Sequence, residues 1–96
     1  SSLLEIRRFA TYLIVNSNLK VEIGGHTDDV GSDSYNNELS KKRAKSVYDA
    51  LINYGVSSNQ LTFKGYGFSD PMFNNDSDEA RLQNRRTEVK VIGSYE

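Results

Sequence analysis

The chain is most clearly organised between Leu19 and Gly55, where the sequence runs LKVEIGGHTDDVGSDSYNNELSKKRAKSVYDALINYG. Apolar and polar residues alternate from Leu19 to Ile23, a pattern that predicts a half-buried strand. A glycine-rich, acidic loop follows, and the spacing of apolar residues then predicts a helix from about Ser34 to Tyr54. Gly55 is suited to end this helix, because glycine readily adopts the left-handed conformation found just after helices.

Four further elements are predicted on either side of this segment. They are a helix over Leu3 to Val15, a strand over Leu61 to Gly67, a short helix over Ser77 to Gln83 and a last strand over residues 86–92. The order of helices and strands predicts an α/β (α+β) fold. We expect a two-layer sandwich with the helices packed on one face of a small mixed β-sheet.

The composition describes one globular domain and removes several functional classes. The 96 residues include 12 basic and 13 acidic side chains, so the basic excess typical of nucleic-acid-binding modules is missing. The chain has no cysteine, which excludes disulfides, a thiol nucleophile and cysteine-ligated metals. No apolar run approaches the roughly 18–20 residues that span a bilayer. We expect a single domain over residues 1–96 that has no nucleic-acid partner and is not inserted in a membrane.

The predicted second helix carries a charged residue on its apolar side. With successive residues about 100° apart, Leu39, Val47 and Leu51 lie on one core-facing arc. Arg43 and Asn36 fall within the same arc. An unpaired buried charge costs several kcal/mol, so Arg43 must form an ion pair within the protein or bind an anion.

The nearest predicted partner of Arg43 is Asp28, which follows the first strand at the end where open α/β sheets bind their ligands. A carboxylate and a guanidinium held a few ångströms apart would clamp a zwitterion, because arginine binds its carboxylate and aspartate its ammonium. The alternative is that Asp28 and Arg43 pair with each other. On spacing alone, this internal pair is the more common outcome.

No catalytic or metal-binding pattern is present in the sequence. His26 is the only histidine, so the sequence His26-Thr27-Asp28-Asp29 cannot be completed to a zinc site. Asp28 and Asp29 are adjacent, and adjacent side chains diverge, which argues against the paired carboxylates of a glycosidase. We therefore expect no enzymatic activity, no metal and no cofactor.

Four short motifs follow one another along the chain. They are Gly25-His26-Thr27-Asp28-x-x-Gly31, Asn36-x-x-Leu39-Ser40-x-x-Arg43-Ala44-x-x-Val47-x-x-x-Leu51, Gly65-Tyr66-Gly67-x-Ser69-x-Pro71 and Arg81-x-x-Asn84-Arg85-Arg86-x-Glu88. In this order and spacing, over residues 3 to 92, the chain resembles the C-terminal domain of OmpA-like proteins. That domain is the peptidoglycan-binding module of Gram-negative cell envelopes.

The resemblance implies a non-enzymatic domain that binds the peptide stem of peptidoglycan non-covalently, through the free amino-acid end of diaminopimelate. It would anchor an outer-membrane or envelope protein to the cell wall, at the periplasmic face of the outer membrane. The aspartate and arginine of the family's site match Asp28 and Arg43. Asn36, Thr27 and Arg85 match further positions of the site. The resemblance also implies that the family's first strand is missing from this chain.

Two other classes of function are weighed against this one. A hydrolase acting on the cell wall would need a nucleophile, a metal or an acid pair, and the sequence offers none. A protein–protein interaction module would use the Asp28–Arg43 pair as an internal salt bridge. The two hypotheses that remain differ in whether these side chains meet a ligand or each other.

Overall fold

A computed structural model describes residues 3–68 and 86–94 of the chain. The elements, in chain order, are α1 (Leu3–Val15), β1 (Leu19–His26), α2 (Asp33–Asn53), a 3₁₀ turn (Ser58–Gln60), β2 (Leu61–Gly67) and β3 (Thr87–Ser94). The predicted short helix over Ser77 to Gln83 lies outside the described residues. The predicted bounds of α1 and β2 are confirmed, and α2 lies one residue earlier than predicted.

Two strands are longer than the alternating pattern predicts. Strand β1 continues past Ile23 to His26, and β3 continues past residue 92 to Ser94. The predicted ends were wrong because strand pairing uses backbone groups, whereas the alternation reports only on side chains. Gly24, for example, has no side chain but pairs with Lys64 of β2 and with Glu88 of β3.

The sheet has the order β2-β1-β3 within the described residues. Strand β1 is parallel to β2 and antiparallel to β3, so the sheet is mixed as predicted. Val21 and Ile23 of β1 point towards the helices and are almost completely buried. The predicted two-layer arrangement, with helices on one face of a small mixed sheet, is confirmed.

The core lies between the helices and the inner face of the sheet. Its buried apolar residues come from both layers: Ala10, Leu13, Val21, Ile23, Ala44, Leu51, Val56 and Leu61. Full burial of a leucine or isoleucine side chain contributes about 1.5–3 kcal/mol. The predicted polar side of α2 is exposed at Glu38, Lys41, Lys42, Lys45 and Asp49. Of the described helices, α1 is too short and α2 too polar to cross a bilayer.

Gln60 connects the end of α1 to the start of β1. Its side chain is 3% exposed, and Nε2 donates hydrogen bonds to the carbonyl oxygens of Leu13, Asn16 and Leu19 at 2.9, 3.1 and 3.2 Å. All three carbonyls lie where the chain turns from α1 into β1. The amide of Gln60 therefore supplies the hydrogen-bond donor for the backbone of this turn.

Replacing Gln60 with alanine is expected to lower the free energy of unfolding by about 1–3 kcal/mol, because buried carbonyl groups lose their donor. Urea denaturation followed by circular dichroism measures the change. The matched control is Ser58→Ala, in the same 3₁₀ turn at an exposed position, which should change stability little. Equal stabilities of the two variants would contradict this role of Gln60.

Candidate functional site

The loop after β1 begins between the ends of the two neighbouring strands. The backbone N–H of His26 donates to the carbonyl oxygen of Arg86 at 2.7 Å, and the N–H of Thr27 donates to that of Gly67 at 2.8 Å. Thr27 and Asp28 are only 2% and 7% exposed. The start of this loop is therefore held as firmly as the strands beside it.

The conformation at Asp28 is fixed by two short-range contacts. Its Oδ1 accepts a hydrogen bond from the N–H of Val30 at 3.0 Å. This is an Asx turn, in which the side chain bonds to the backbone two residues further on. Its carbonyl oxygen accepts a hydrogen bond from Nδ2 of Asn36 on α2 at 3.3 Å. Asn36 is 3% exposed, so its predicted position on the buried side of the helix is confirmed.

The start of α2 is set by a glycine and a capping serine. Gly31 has a φ of 96°, in the left-handed region that glycine adopts without strain. The side chain of Ser32 accepts a hydrogen bond from the N–H of Tyr35 at 3.2 Å, which makes it the N-cap. The predicted role of Gly55 after the helix is confirmed by its φ of 103°.

Ser40 fastens α2 to the sheet next to the site. It is completely buried; its hydroxyl donates to the carbonyl oxygen of Asn37 and accepts from the N–H of Gly67, both at 2.9 Å. The carbonyl of Gly67 is the group that accepts from Thr27. A short chain of hydrogen bonds thus joins the helix that carries Arg43 to the loop that carries the acidic residue.

Sequence reasoning did not assign this role to Ser40. The signal was present, because about 100° per residue places Ser40 in the middle of the core-facing arc that begins at Leu39. A small hydroxyl side chain there can approach the sheet closely and bond to its backbone.

A cleft opens between the loop and the helix, and we call it the loop–helix cleft. It has a volume of about 220 Å³ and is lined by Thr27, Asp28, Val30, Tyr35, Asn36, Leu39 and Arg43. Four of the five predicted site residues therefore lie around one cavity: Thr27, Asp28, Asn36 and Arg43. The fifth, Arg85, lies outside the described residues. Sequence reasoning did not place Val30, Tyr35 or Leu39 at the site. For Tyr35 and Leu39 a signal was present, because they lie eight and four residues before Arg43 and so share its face of the helix.

The charges of the cleft are placed for a ligand. Arg43 is half-buried, and within residues 3–68 no ion pair joins it to Asp28. The internal salt bridge required by the alternative hypothesis is thus absent from this part of the chain. Thr27 Oγ1 is buried and has no hydrogen-bond partner among residues 3–68 and 86–94. A carboxylate, a guanidinium, an amide and a hydroxyl therefore line one small volume, the chemistry that recognises a molecule carrying both charges.

His26 takes no part in the cleft. Its Nε2 lies 3.0 Å from Oε1 of Glu88, and its ring stacks on Tyr66 with centroids 5.1 Å apart. These contacts lie on the face of the sheet opposite the helices. Among the described residues, no group of three or more histidine, aspartate or glutamate side chains is arranged to hold a metal ion.

The fold and the cleft together define a small α/β domain with a polar cleft at the end of its central strand. The family model described as OmpA family matches residues 2–85. The chain belongs to the OmpA family. Members of this family serve as structural or anchoring proteins, so the prediction of a non-enzymatic domain is confirmed by this membership.

Several curated relatives are named as outer membrane proteins. The chain is 39% identical over 92 residues to outer membrane porin F of Pseudomonas aeruginosa, which covers 95% of this chain and 26% of that protein. It is 37% identical over 91 residues to outer membrane protein Omp38 of Acinetobacter baumannii, which covers 94% of this chain and 26% of that protein. The chain therefore corresponds to a small part of each relative.

Solved structures of similar domains have the same fold. The C-terminal domain of Helicobacter pylori MotB superposes with a TM-score of 0.89 at 35% identity, covering 96% of this chain and 72% of that one. The peptidoglycan-associated lipoprotein of Burkholderia pseudomallei gives a TM-score of 0.90 at 29% identity, covering 94% of this chain and 76% of that one.

Proposed function

We propose that this domain binds peptidoglycan non-covalently and anchors the protein that carries it to the cell wall. The observation that carries the proposal is the loop–helix cleft, where Asp28 and Arg43 line one cavity without pairing with each other. Membership of the OmpA family supports it, as does the likeness to a peptidoglycan-associated lipoprotein. The domain would then lie on the periplasmic side of the envelope, within a protein associated with the outer membrane like its curated relatives.

The ligand group that fits this cleft best is the free end of diaminopimelate in the peptide stem. That end carries an ammonium and a carboxylate on one carbon. The guanidinium of Arg43 would bind the carboxylate through two N–H groups, and the carboxylate of Asp28 would accept from the ammonium. Asp28 Oδ1 accepts a hydrogen bond from the N–H of Val30, and a carboxylate has about four acceptor sites, so it can accept from several donors at once.

Thr27 and Asn36 complete the proposed site. The hydroxyl of Thr27 is buried in the cleft wall and supplies a donor or acceptor that no group in the described part of the chain uses. The amide of Asn36 holds the backbone of Asp28 and so sets the distance between the loop and the helix. Arg85, by its match to the family's motif, is proposed to contact the same ligand.

An NMR titration tests the proposal directly. Free diaminopimelate, added to the isotopically labelled domain, is expected to shift the amide signals of residues 27–31 in a saturable way. Pimelic acid has both carboxylates and no ammonium, and 1,5-diaminopentane has both amines and no carboxylate. Since the cleft is proposed to need both charges on one carbon, neither control should produce these shifts. Shifts confined to other residues, or equal responses to all three compounds, would show that the cleft is not the ligand site.

A further inference from the structure

The helical wall of the loop–helix cleft is longer than a single amino-acid end requires. Tyr35, Leu39 and Arg43 follow one another at intervals of four residues on α2, and all three line the cleft. At about 1.5 Å per residue, the positions of Tyr35 and Arg43 are roughly 12 Å apart along the helix. Extended peptide advances at most about 3.3–3.6 Å per residue, so this wall matches a segment of about three residues.

Tyr35 adds an exposed aromatic ring to one end of this wall. The polar groups of the cleft include Arg43 at one end, whereas Tyr35 at the other end is 60% exposed. Val30, across the cleft in the loop, is 63% exposed. The other large apolar side chains that are exposed within the described residues belong to α1 and β3. An exposed aromatic and an exposed valine facing one cleft indicate an apolar contact with the bound molecule.

The ring of Tyr35 packs against the loop at Gly31. Its Cδ2 lies 3.2 Å from the point where a Cβ on Gly31 would stand, so the ring packs over this glycine. Its backbone N–H is bonded to the capping hydroxyl of Ser32. Contact with the loop restricts the positions open to the ring, and this lowers the conformational entropy lost when the ring contacts a ligand.

We propose that Tyr35, with Val30, is a specificity-determining contact that packs against an apolar residue next to the charged group in a short peptide. The cleft then recognises a peptide segment with a zwitterionic end and an aliphatic neighbour, and a lone diamino acid fills only its polar part. This inference rests on the proposed function, because it takes the charged end of the ligand to lie between Asp28 and Arg43.

Calorimetric titration with two probes tests the Tyr35 contact separately from the proposed function. One probe is free diaminopimelate. The other is a synthetic tripeptide in which alanines are joined to one amine and one carboxyl group of diaminopimelate, leaving its second ammonium and carboxylate free. Tyr35→Ala is expected to weaken binding of the tripeptide at least about fivefold and to leave binding of free diaminopimelate within twofold.

Three further variants test whether the effect comes from the aromatic ring of Tyr35 and from its place in the cleft. Tyr35→Phe should retain wild-type affinity for the tripeptide, because the contact needs the ring and not the hydroxyl. Val30→Ser, on the opposite wall, should weaken the tripeptide selectively and provides the test if Tyr35→Ala does not fold. Tyr12→Ala, a tyrosine of similar exposure on α1, should change neither affinity.

The outcomes distinguish this inference from the proposed function. If the wild-type domain binds both probes and Tyr35→Ala weakens neither, or both equally, the proposed function stands and the specificity role is wrong. If the wild-type domain binds neither probe, the proposed function fails and this inference fails with it. Selective loss of the tripeptide in Tyr35→Ala and Val30→Ser supports the inference.

Discussion

Replacing Gly25 with alanine is expected to lower the free energy of unfolding by about 3 kcal/mol or more. A Cβ at this position would lie 2.0 Å from the carbonyl oxygen of Ser40 and 2.8 Å from its carbonyl carbon. Both are backbone atoms of α2, so no side-chain rotation relieves the overlap, and the helix itself must move away from β1. Chemical denaturation followed by circular dichroism measures the loss.

The same substitution is expected to damage the candidate site. Gly25 lies two residues before Thr27, and Ser40 lies between Asn36 and Arg43 on α2. Displacement of the helix would therefore separate the cationic wall of the cleft from its acidic loop. Whatever fraction of the variant folds should bind peptidoglycan more weakly than the wild-type domain.

Gly93 provides the matched control for this prediction. It is also a strand glycine, on β3, but nothing lies within 4 Å of a Cβ built on it. Gly93→Ala is expected to leave stability unchanged or slightly raised, because alanine has less conformational entropy to lose on folding. If both alanine variants were equally stable, the close approach of α2 to Gly25 would not be a constraint on the fold.

Local patterns in the sequence predicted the elements whose side chains alternate or repeat. The helix over Leu3–Val15 and the strand over Leu61–Gly67 have such patterns, and both are found at the predicted bounds. The end of β1 was missed because Gly24 and Gly25 carry no polarity signal, while their backbone groups continue to pair. At Gly25 the missing side chain leaves room for the backbone of Ser40 on α2.

The sequence predicted which residues form the candidate site, but it did not predict how Asp28 and Arg43 are placed relative to each other. A charged residue on an apolar helical arc singled out Arg43, and the end of the first strand singled out Asp28. Spacing alone favoured a direct pair between them, which is absent from the described residues. The loop is held by the N–H of Val30, which donates to Asp28 Oδ1, and by Nδ2 of Asn36, which donates to the carbonyl oxygen of Asp28. Such loop conformations depend on contacts between residues that no periodic pattern links.

Asp28→Asn and Arg43→Ala are each expected to weaken binding to purified peptidoglycan sacculi at least about 30-fold, as judged by co-sedimentation. Removing one of two charges that meet in a partly buried site costs about 2–5 kcal/mol of binding energy. Asparagine keeps an oxygen that can accept from the N–H of Val30, so Asp28→Asn removes the charge and preserves the turn. Arg43→Lys should retain part of the affinity, because lysine has the charge but not the planar fork.

Two neighbouring substitutions control for the change of net charge. Lys42→Ala removes a cation next to Arg43 on the exposed side of α2, and Asp29→Asn removes an anion next to Asp28 at an exposed position. Neither side chain lines the cleft, so both variants should sediment with sacculi like the wild-type domain. If either control lost binding as strongly as its neighbour, attraction would come from general charge and not from the cleft.

Thermal unfolding of the Arg43→Ala variant separates ligand binding from an internal structural role. Arg43 has no ion-pair partner among residues 3–68 and 86–94, so its removal should leave the melting temperature within a few degrees of the wild-type value. A large fall in melting temperature would instead indicate that Arg43 supports the fold, as the interaction-module hypothesis requires. Loss of sacculus binding in a variant of unchanged stability is the result that a ligand-binding arginine predicts.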